Sequence, residues 1–142
     1  MTEGQRSPRV LVVDDSRAMR MTLARLLGGL GMEVTEAGNG MQALEALATG
    51  GPYEIAFIDW YMPELNGLDL VRRVRAEPAY DDVRLVMVTS ECEAPLIVSA
   101  LDAAADEYVT KPFDRTELLA VLERLDHERR RETDIKLLGK VG

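Results

Sequence analysis

Asp14 and Asp15 close one apolar run, Asp59 closes another, and Lys111 follows a third short extended stretch. Folding that brings the ends of these runs together would gather three carboxylates and one ammonium. Crowded carboxylates repel, and at least one is pushed toward its protonated form unless a divalent ion and the lysine offset the charge. Mg²⁺ suits such a sparse set, because it is usually held by one or two carboxylates, keeps several waters and leaves room for a phosphate. A carboxylate oxygen is also a nucleophile toward phosphorus. The aspartyl phosphate it forms needs positive charge against the transferring oxygens, which a metal and an ammonium supply. Asp59 is the candidate nucleophile, and Asp14, Asp15 and Asp59 form the candidate Mg²⁺ site.

The elements that must position these residues are legible in outline. Residues 10–13 (Val-Leu-Val-Val) and 55–58 (Ile-Ala-Phe-Ile) are short and apolar, as strands buried on both faces of a parallel sheet are. Side chains just past such strands sit at the sheet's carboxyl edge, where open α/β sheets bind their ligands. Apolar runs alternate with helix-period segments five times, without an internal repeat, which reads as doubly wound α/β. Ser16 is expected to cap a first helix carrying Met19, Leu23, Leu26, Leu27 and Leu30 and ended by Gly28, Gly29 and Gly31. A weaker strand starts at Val34, and the turn Gly38-Asn39-Gly40 opens a helix with Ala43, Leu44 and Leu47. Asn66 or Glu64 starts the next helix, with Leu68, Val71 and Val74 on one face. A strand over residues 84–88 ends in Thr89-Ser90, and a helix through Leu96, Ile97, Ala100 and Leu101 tolerates Pro95 only in its first turn. Residues 107–109 form a fifth strand. Asp114 caps a last helix whose buried stripe is expected to be Leu118, Leu119, Val121, Leu122 and Leu125.

Asp14-Asp15, the segment Asp59-Trp60-Tyr61-Met62-Pro63 with Gly67, Thr89, and Asp106-Glu107-Tyr108 followed by Lys111-Pro112-Phe113 together resemble the receiver domain of two-component response regulators, of the chemotaxis type. Any one element recurs by chance, but four in order at the ends of strands one, three, four and five are specific. The resemblance runs from about Arg9 to Leu125. It implies a flavodoxin-like (βα)5 fold with a five-stranded parallel sheet in the order 2-1-3-4-5. It further implies that Asp59 accepts a phosphoryl group from a kinase phosphohistidine, that Asp15 and Asp59 bind Mg²⁺ directly with Asp14 helping through water, and that the Tyr61 backbone carbonyl completes the protein ligands. Lys111 would pair with the phosphoryl oxygens, and its bond to Pro112 resembles the family's cis peptide. Thr89 matches the hydroxyl that turns toward the phosphoryl group, and Tyr108 the aromatic that swings inward after it. Such a pair would shift the face made by helix four, strand five and helix five, which a partner reads. Where the family often has glycine stands Ala104. A positive φ there would cost alanine on the order of 1 kcal/mol, so the helix is expected to end differently.

The chain of 142 residues, 46% hydrophobic and 30% charged, is expected to form one receiver domain over residues 9–126, between a flexible residue 1–8 segment and a charged tail or helix extension over 127–142. The tail, with Arg129-Arg130-Arg131, Ile135, Leu137 and Leu138, reads as a solvated extension. A formal charge of -8 argues against direct DNA binding. No run of about 18 apolar residues is present, and residues 1–8 lack the apolar core of a signal peptide, so cytoplasmic placement without membrane insertion is expected. One cysteine excludes an intramolecular disulfide. The implied partners are a sensor histidine kinase or phosphotransfer protein and a downstream protein target, with the chain a monomer or weak dimer and not an enzyme on an outside substrate. Two other functions fit the residues less well. A Mg²⁺-dependent phosphohydrolase is disfavoured because Tyr61, two beyond Asp59, offers no acid for a leaving alkoxide. A phosphorylation-independent scaffold is disfavoured because Asp14, Asp15, Asp59, Thr89 and Lys111 are all present.

Single residues have plainer readings too. Tyr108 could simply cover the edge of the core, though the motif favours the switch. Cys92 reads as a small filler and His127 as a solvated surface group. Trp60, the sole tryptophan, should report on the site by fluorescence. Arg17, Tyr61, Met62 and Glu91 are expected near the mouth of the site, and Met19, Met21 and Met62 read as core filling.

Overall fold

The computed structural model describes residues 7–90 and 94–141. Five strands, β1 (Arg9–Val13), β2 (Glu33–Ala37), β3 (Ile55–Asp59), β4 (Arg84–Thr89) and β5 (Glu107–Thr110), form one parallel sheet in the order β2-β1-β3-β4-β5. Between and after them run α1 (Arg17–Gly29), α2 (Gly40–Gly50), α3 (Gly67–Arg75), α4 (Ala94–Asp102) and α5 (Arg115–Val141). This is the flavodoxin-like order expected. Among the described residues no helix is long and apolar enough to cross a membrane.

Strand alternation divides the core into two layers. Leu11, Val13, Ala56, Ile58, Leu85 and Met87 face one side, where Ala43, Leu47, Leu70, Val71, Val74 and Ala100 of α2, α3 and α4 cover them. Val10, Val12, Phe57, Val86, Val88 and Val109 face the other, under Leu23 and Leu27 of α1 and Leu118, Val121 and Leu125 of α5. With both faces covered, the central strands β1, β3 and β4 carry no polar side chain between Arg9 or Arg84 at the amino ends of β1 and β4 and their carboxyl ends. There Asp59 and Thr89 are the last residues of β3 and β4.

Local signals set the helix starts. Ser16 Oγ accepts from Met19 N–H at 3.3 Å, Asn39 Oδ1 from Gln42 N–H at 2.8 Å, and Asn66 Oδ1 from Asp69 N–H at 2.8 Å. Asp114 Oδ1 does the same for Glu117 N–H at 2.9 Å. Asn66 is therefore the α3 cap, and Glu64 sits in the preceding loop at φ 67. Pro95 falls in the first turn of α4. Leu96, Ile97 and Leu101, expected on its apolar face, lie outside the described side chains, as do residues 129–141 of α5.

Two expectations are corrected. Leu119 does not belong to the α5 stripe: it is exposed, because Leu118, Val121, Leu122 and Leu125 already follow the helical spacing and Leu119 lies about 100° away. Ala104 does adopt the left-handed conformation, at φ 73. Ala103 N–H donates to Ser99 O at 3.0 Å as an ordinary helical bond, and Ala105 N–H donates to Ala100 O at 3.0 Å, the outer bond of a Schellman ending that puts its left-handed residue at Ala104. Arg75 locks that turn. Its Nε donates to Ala104 O at 3.0 Å, while Nη1 reaches Tyr80 O at 3.0 Å and Nη2 reaches Val83 O at 2.7 Å and Asp106 Oδ2 at 2.8 Å. One guanidinium thus ties α3 to the entrances of β4 and β5.

Two substitutions test this description. Left-handed alanine costs about 1–2 kcal/mol, and glycine's freer unfolded chain returns about 0.4–1 of that, so Ala104→Gly should gain roughly 0.5 kcal/mol, read as a slightly higher thermal midpoint. Gly67 has the opposite constraint. An added Cβ would run into the Asp59 carbonyl oxygen, and Gly67 N–H donates to Trp60 O at 2.9 Å. Gly67→Ala should therefore cost about 1–3 kcal/mol by overpacking, with a correspondingly lower urea midpoint.

Candidate functional site

Parallel pairing carries the chemistry-bearing residues to one edge. Val13 pairs with Ile58 and Ala37, Asp59 with Val88, and Thr89 with Thr110. Asp14, Asp15 and Lys111 are the next residues out along β1 and β5. Lys111 N–H donates to Thr89 O at 2.8 Å, which anchors the turn after β5, and the Lys111–Pro112 peptide that follows is cis. From there the lysine side chain reaches past β4. Its Nζ lies 3.1 Å from Asp59 Oδ1 on β3 and 3.2 Å from Asp14 Oδ2 beyond β1.

Asp14 is almost wholly buried, and each of its polar groups has a partner. Its N–H donates to Ala37 O at 3.2 Å, Oδ1 accepts from Ser16 N–H at 2.8 Å, Oδ2 accepts from Lys111, and its carbonyl accepts from Arg20 Nη1 at 2.7 Å. Asp59 is 7% exposed. Burial raises its pKa above the ordinary carboxylate value, and the Asp14 charge adds to that; the hydrogen bond and charge of Lys111 pull it down without cancelling the rise. Its protonated form is therefore favoured by folding. That contribution is fully present below the ordinary carboxylate pKa and is lost as pH rises through the raised one, so above the raised pKa ionised Asp59 weighs against the metal-free fold. Burial works against the Lys111 ammonium as well, but the hydrogen bond and charge of Asp59, joined by Asp14, outweigh it and raise its pKa.

Asp15 is exposed, and its carboxylate stands with those of Asp14 and Asp59 so that one oxygen from each lies within 4.8 Å of the others. The donor set fits Mg²⁺: hard oxygens only, too few to enclose an ion, with solvent access on the Asp15 side for the waters Mg²⁺ retains. A shallow depression of about 300 Å³, lined by Asp15, Tyr61, Met62, Pro63 and Asn66, opens beside it. Tyr61 is 55% exposed at this rim, whereas Met62 and Trp60 are buried in the core beneath.

Thr89 is buried at the end of β4, on the same edge. Tyr108 is not gathered into the cluster. It is exposed and lines a groove with Thr110, Glu117, Ala120 and Arg124 on the α5 side of β5. Arg17 is exposed at the start of α1, and His127 is exposed on α5. Met21 is 46% exposed and is not core filling, because its helical neighbours Leu23 and Leu27 take the inward positions. Cys92 and Glu91 lie outside the described residues. Arg20 was not singled out by the sequence: its contact is to a backbone carbonyl, which no motif of side-chain types records.

A family profile described as response regulator receiver domain matches residues 10–123. A chemotaxis protein CheY homolog of Campylobacter jejuni is 42% identical over 106 residues, covering 74% of this chain and 82% of the relative. Chemotaxis protein CheY1 of Helicobacter pylori is 41% identical over 106 residues, covering 74% of this chain and 86% of its own. Among solved structures, Vibrio cholerae chemotaxis protein CheY4 superposes with a TM-score of 0.78 at 30% identity, over 84% of this chain and 98% of that one. A parallel sheet in this order, with its acids and lysine at the carboxyl edge, and relatives this similar over this span make the conclusion plain: the chain belongs to the response regulator receiver family.

Proposed function

We propose that Asp59 is the phosphoacceptor and that its phosphorylation by a sensor histidine kinase or phosphotransfer protein switches the surface a downstream protein reads. The observation that carries this is the Lys111 ammonium held between the buried carboxylates of Asp14 and Asp59. A purely structural ion pair needs one acid. Here a second carboxylate is buried beside the first and a third stands at the solvent edge, an arrangement that weighs against the fold unless more positive charge is recruited.

Asp15 and Asp59 would hold Mg²⁺ through their carboxylates, with Asp14 acting through water and the Tyr61 carbonyl as the remaining protein donor. When bound, the ion supplies charge that neutralises the oxygens of the transferring phosphoryl group. The ionised Asp59 oxygen attacks phosphorus as the phosphorus–nitrogen bond of the donor phosphohistidine breaks, and the leaving imidazole nitrogen keeps the bonding pair and then takes a proton. Lys111 exchanges its carboxylate partner for a phosphoryl oxygen, losing little because its charge stays paired. Thr89, one residue beyond the Asp59 partner Val88, offers a hydroxyl to another phosphoryl oxygen. Tyr108, three residues before Lys111 and exposed, is free to move toward space that Thr89 vacates, and this would alter the groove along α5. A partner that prefers the altered surface must in turn favour phosphorylation, since such coupling is reciprocal. The similarity to chemotaxis proteins supports a chemosensory partner and a cytoplasmic setting for the exchange.

Acetyl phosphate with Mg²⁺ should add one phosphoryl group to the chain, read by intact mass. Asp59→Asn should abolish the addition, and chelating the metal should prevent it. Absence of any addition, or addition that survives Asp59→Asn, would contradict the assignment.

A further inference from the structure

Arg20 belongs to no motif named above, yet it holds the peptide that joins the two acids after β1. From α1 its Nη1 donates to the Asp14 carbonyl oxygen at 2.7 Å, and its Nε donates to Glu36 Oε1 on β2 at 3.3 Å. The side chain is 18% exposed and passes beside Gly38, where an added Cβ would lie 3.4 Å from Nη1. A planar fork that engages acceptors on two elements has little freedom left, so the carbonyl it grips is fixed as well.

That carbonyl lies in one rigid plane with the Asp15 N–H, and its orientation sets the direction in which Asp15 leaves the strand. The Asp14 side chain needs no such help, because Ser16 and Lys111 already hold both its oxygens. Asp15 differs. Its side chain is exposed, and among the described residues no hydrogen bond holds its carboxylate. Its place near Asp14 and Asp59 therefore rests on the backbone, and Arg20 secures the backbone there. We propose that Arg20 is a positioning residue for the Mg²⁺ site, acting through the Asp14–Asp15 peptide without touching the ion. The inference rests on the metal reading given above.

The sign of its removal separates this role from a simple charge effect. A guanidinium near a cation site repels the ion, so losing it as a charge alone should tighten Mg²⁺ binding. Losing it as a positioning group should weaken binding, and partners that orient metal ligands typically matter by about 10–100-fold. Calorimetric Mg²⁺ titration of the full chain, with thermal melts in chelator alongside, reads both. Arg20→Ala should weaken Mg²⁺ about tenfold, and Arg20→Lys, which keeps the charge and one donor able to reach the carbonyl, should recover part of that loss. If Arg20→Ala does not fold, Arg20→Gln keeps the stem and is expected to show the same weakening. Mg²⁺ affinity equal to or tighter than wild type in a folded Arg20→Ala or Arg20→Gln overturns the proposal while leaving the metal site standing. A wild-type chain that takes up no Mg²⁺ overturns the metal reading and this inference with it.

Discussion

One ammonium answers three carboxylates at the carboxyl edge of the sheet, and the architecture around it serves that unequal pairing. Lys111 stands about equally far from Asp14 and Asp59, at 3.2 and 3.1 Å, and satisfies one oxygen of each. Burial makes this costly, because charges removed from water must be paired well to repay their lost hydration. The pairing survives because the strands behind it are rigid. Val13, Ile58, Met87 and Val88 are all essentially inaccessible and locked in register, so the residues that follow them have few places to go. Gly67 lets α3 begin against the Asp59 carbonyl, and Arg20 holds the Asp14 carbonyl from the other side. A site under electrostatic strain is thus built on the least deformable part of the fold.

The same imbalance gives the proposed switch its direction. A cation and a phosphoryl group at Asp59 would each change the charge that Lys111 and Thr89 face; Thr89 ends β4, and Lys111 directly follows β5, the strand that lines the groove containing Tyr108. Coupling of this kind needs no long pathway. It needs two arrangements of a few side chains on β4 and β5, and a partner with different affinity for each.

Much of this was legible in the sequence. The apolar runs ending in acid gave β1 and β3 and placed Asp14, Asp15 and Asp59 together, because a strand buried on both faces can tolerate charge only where it ends. The caps at Ser16 and Asp114 were equally clear, since a short polar side chain before a helical pattern has a specific backbone donor to satisfy. Other features depended on groups that residue types do not reveal. Arg20 and Arg75 act mainly on backbone carbonyls, whose direction is known only once the chain is folded. Ala104 looked too costly for a positive φ, yet the helix ending and Arg75 together impose it. Leu119 and Met21 looked like core because they are apolar. Their angular positions on α5 and α1, beside residues already facing inward, leave them exposed.

The central claim is that Asp59 sits in excess negative charge that Lys111 does not fully offset and that a divalent cation relieves. Following the Asp59 carboxyl carbon by NMR through a pH titration tests it directly. Without metal, its midpoint should lie above the ordinary carboxylate value, because burial and the Asp14 charge both oppose ionisation. With Mg²⁺ present it should fall well below that midpoint, because the ion favours the charged form. A midpoint at or below the ordinary value without metal, and unmoved by Mg²⁺, would contradict the account.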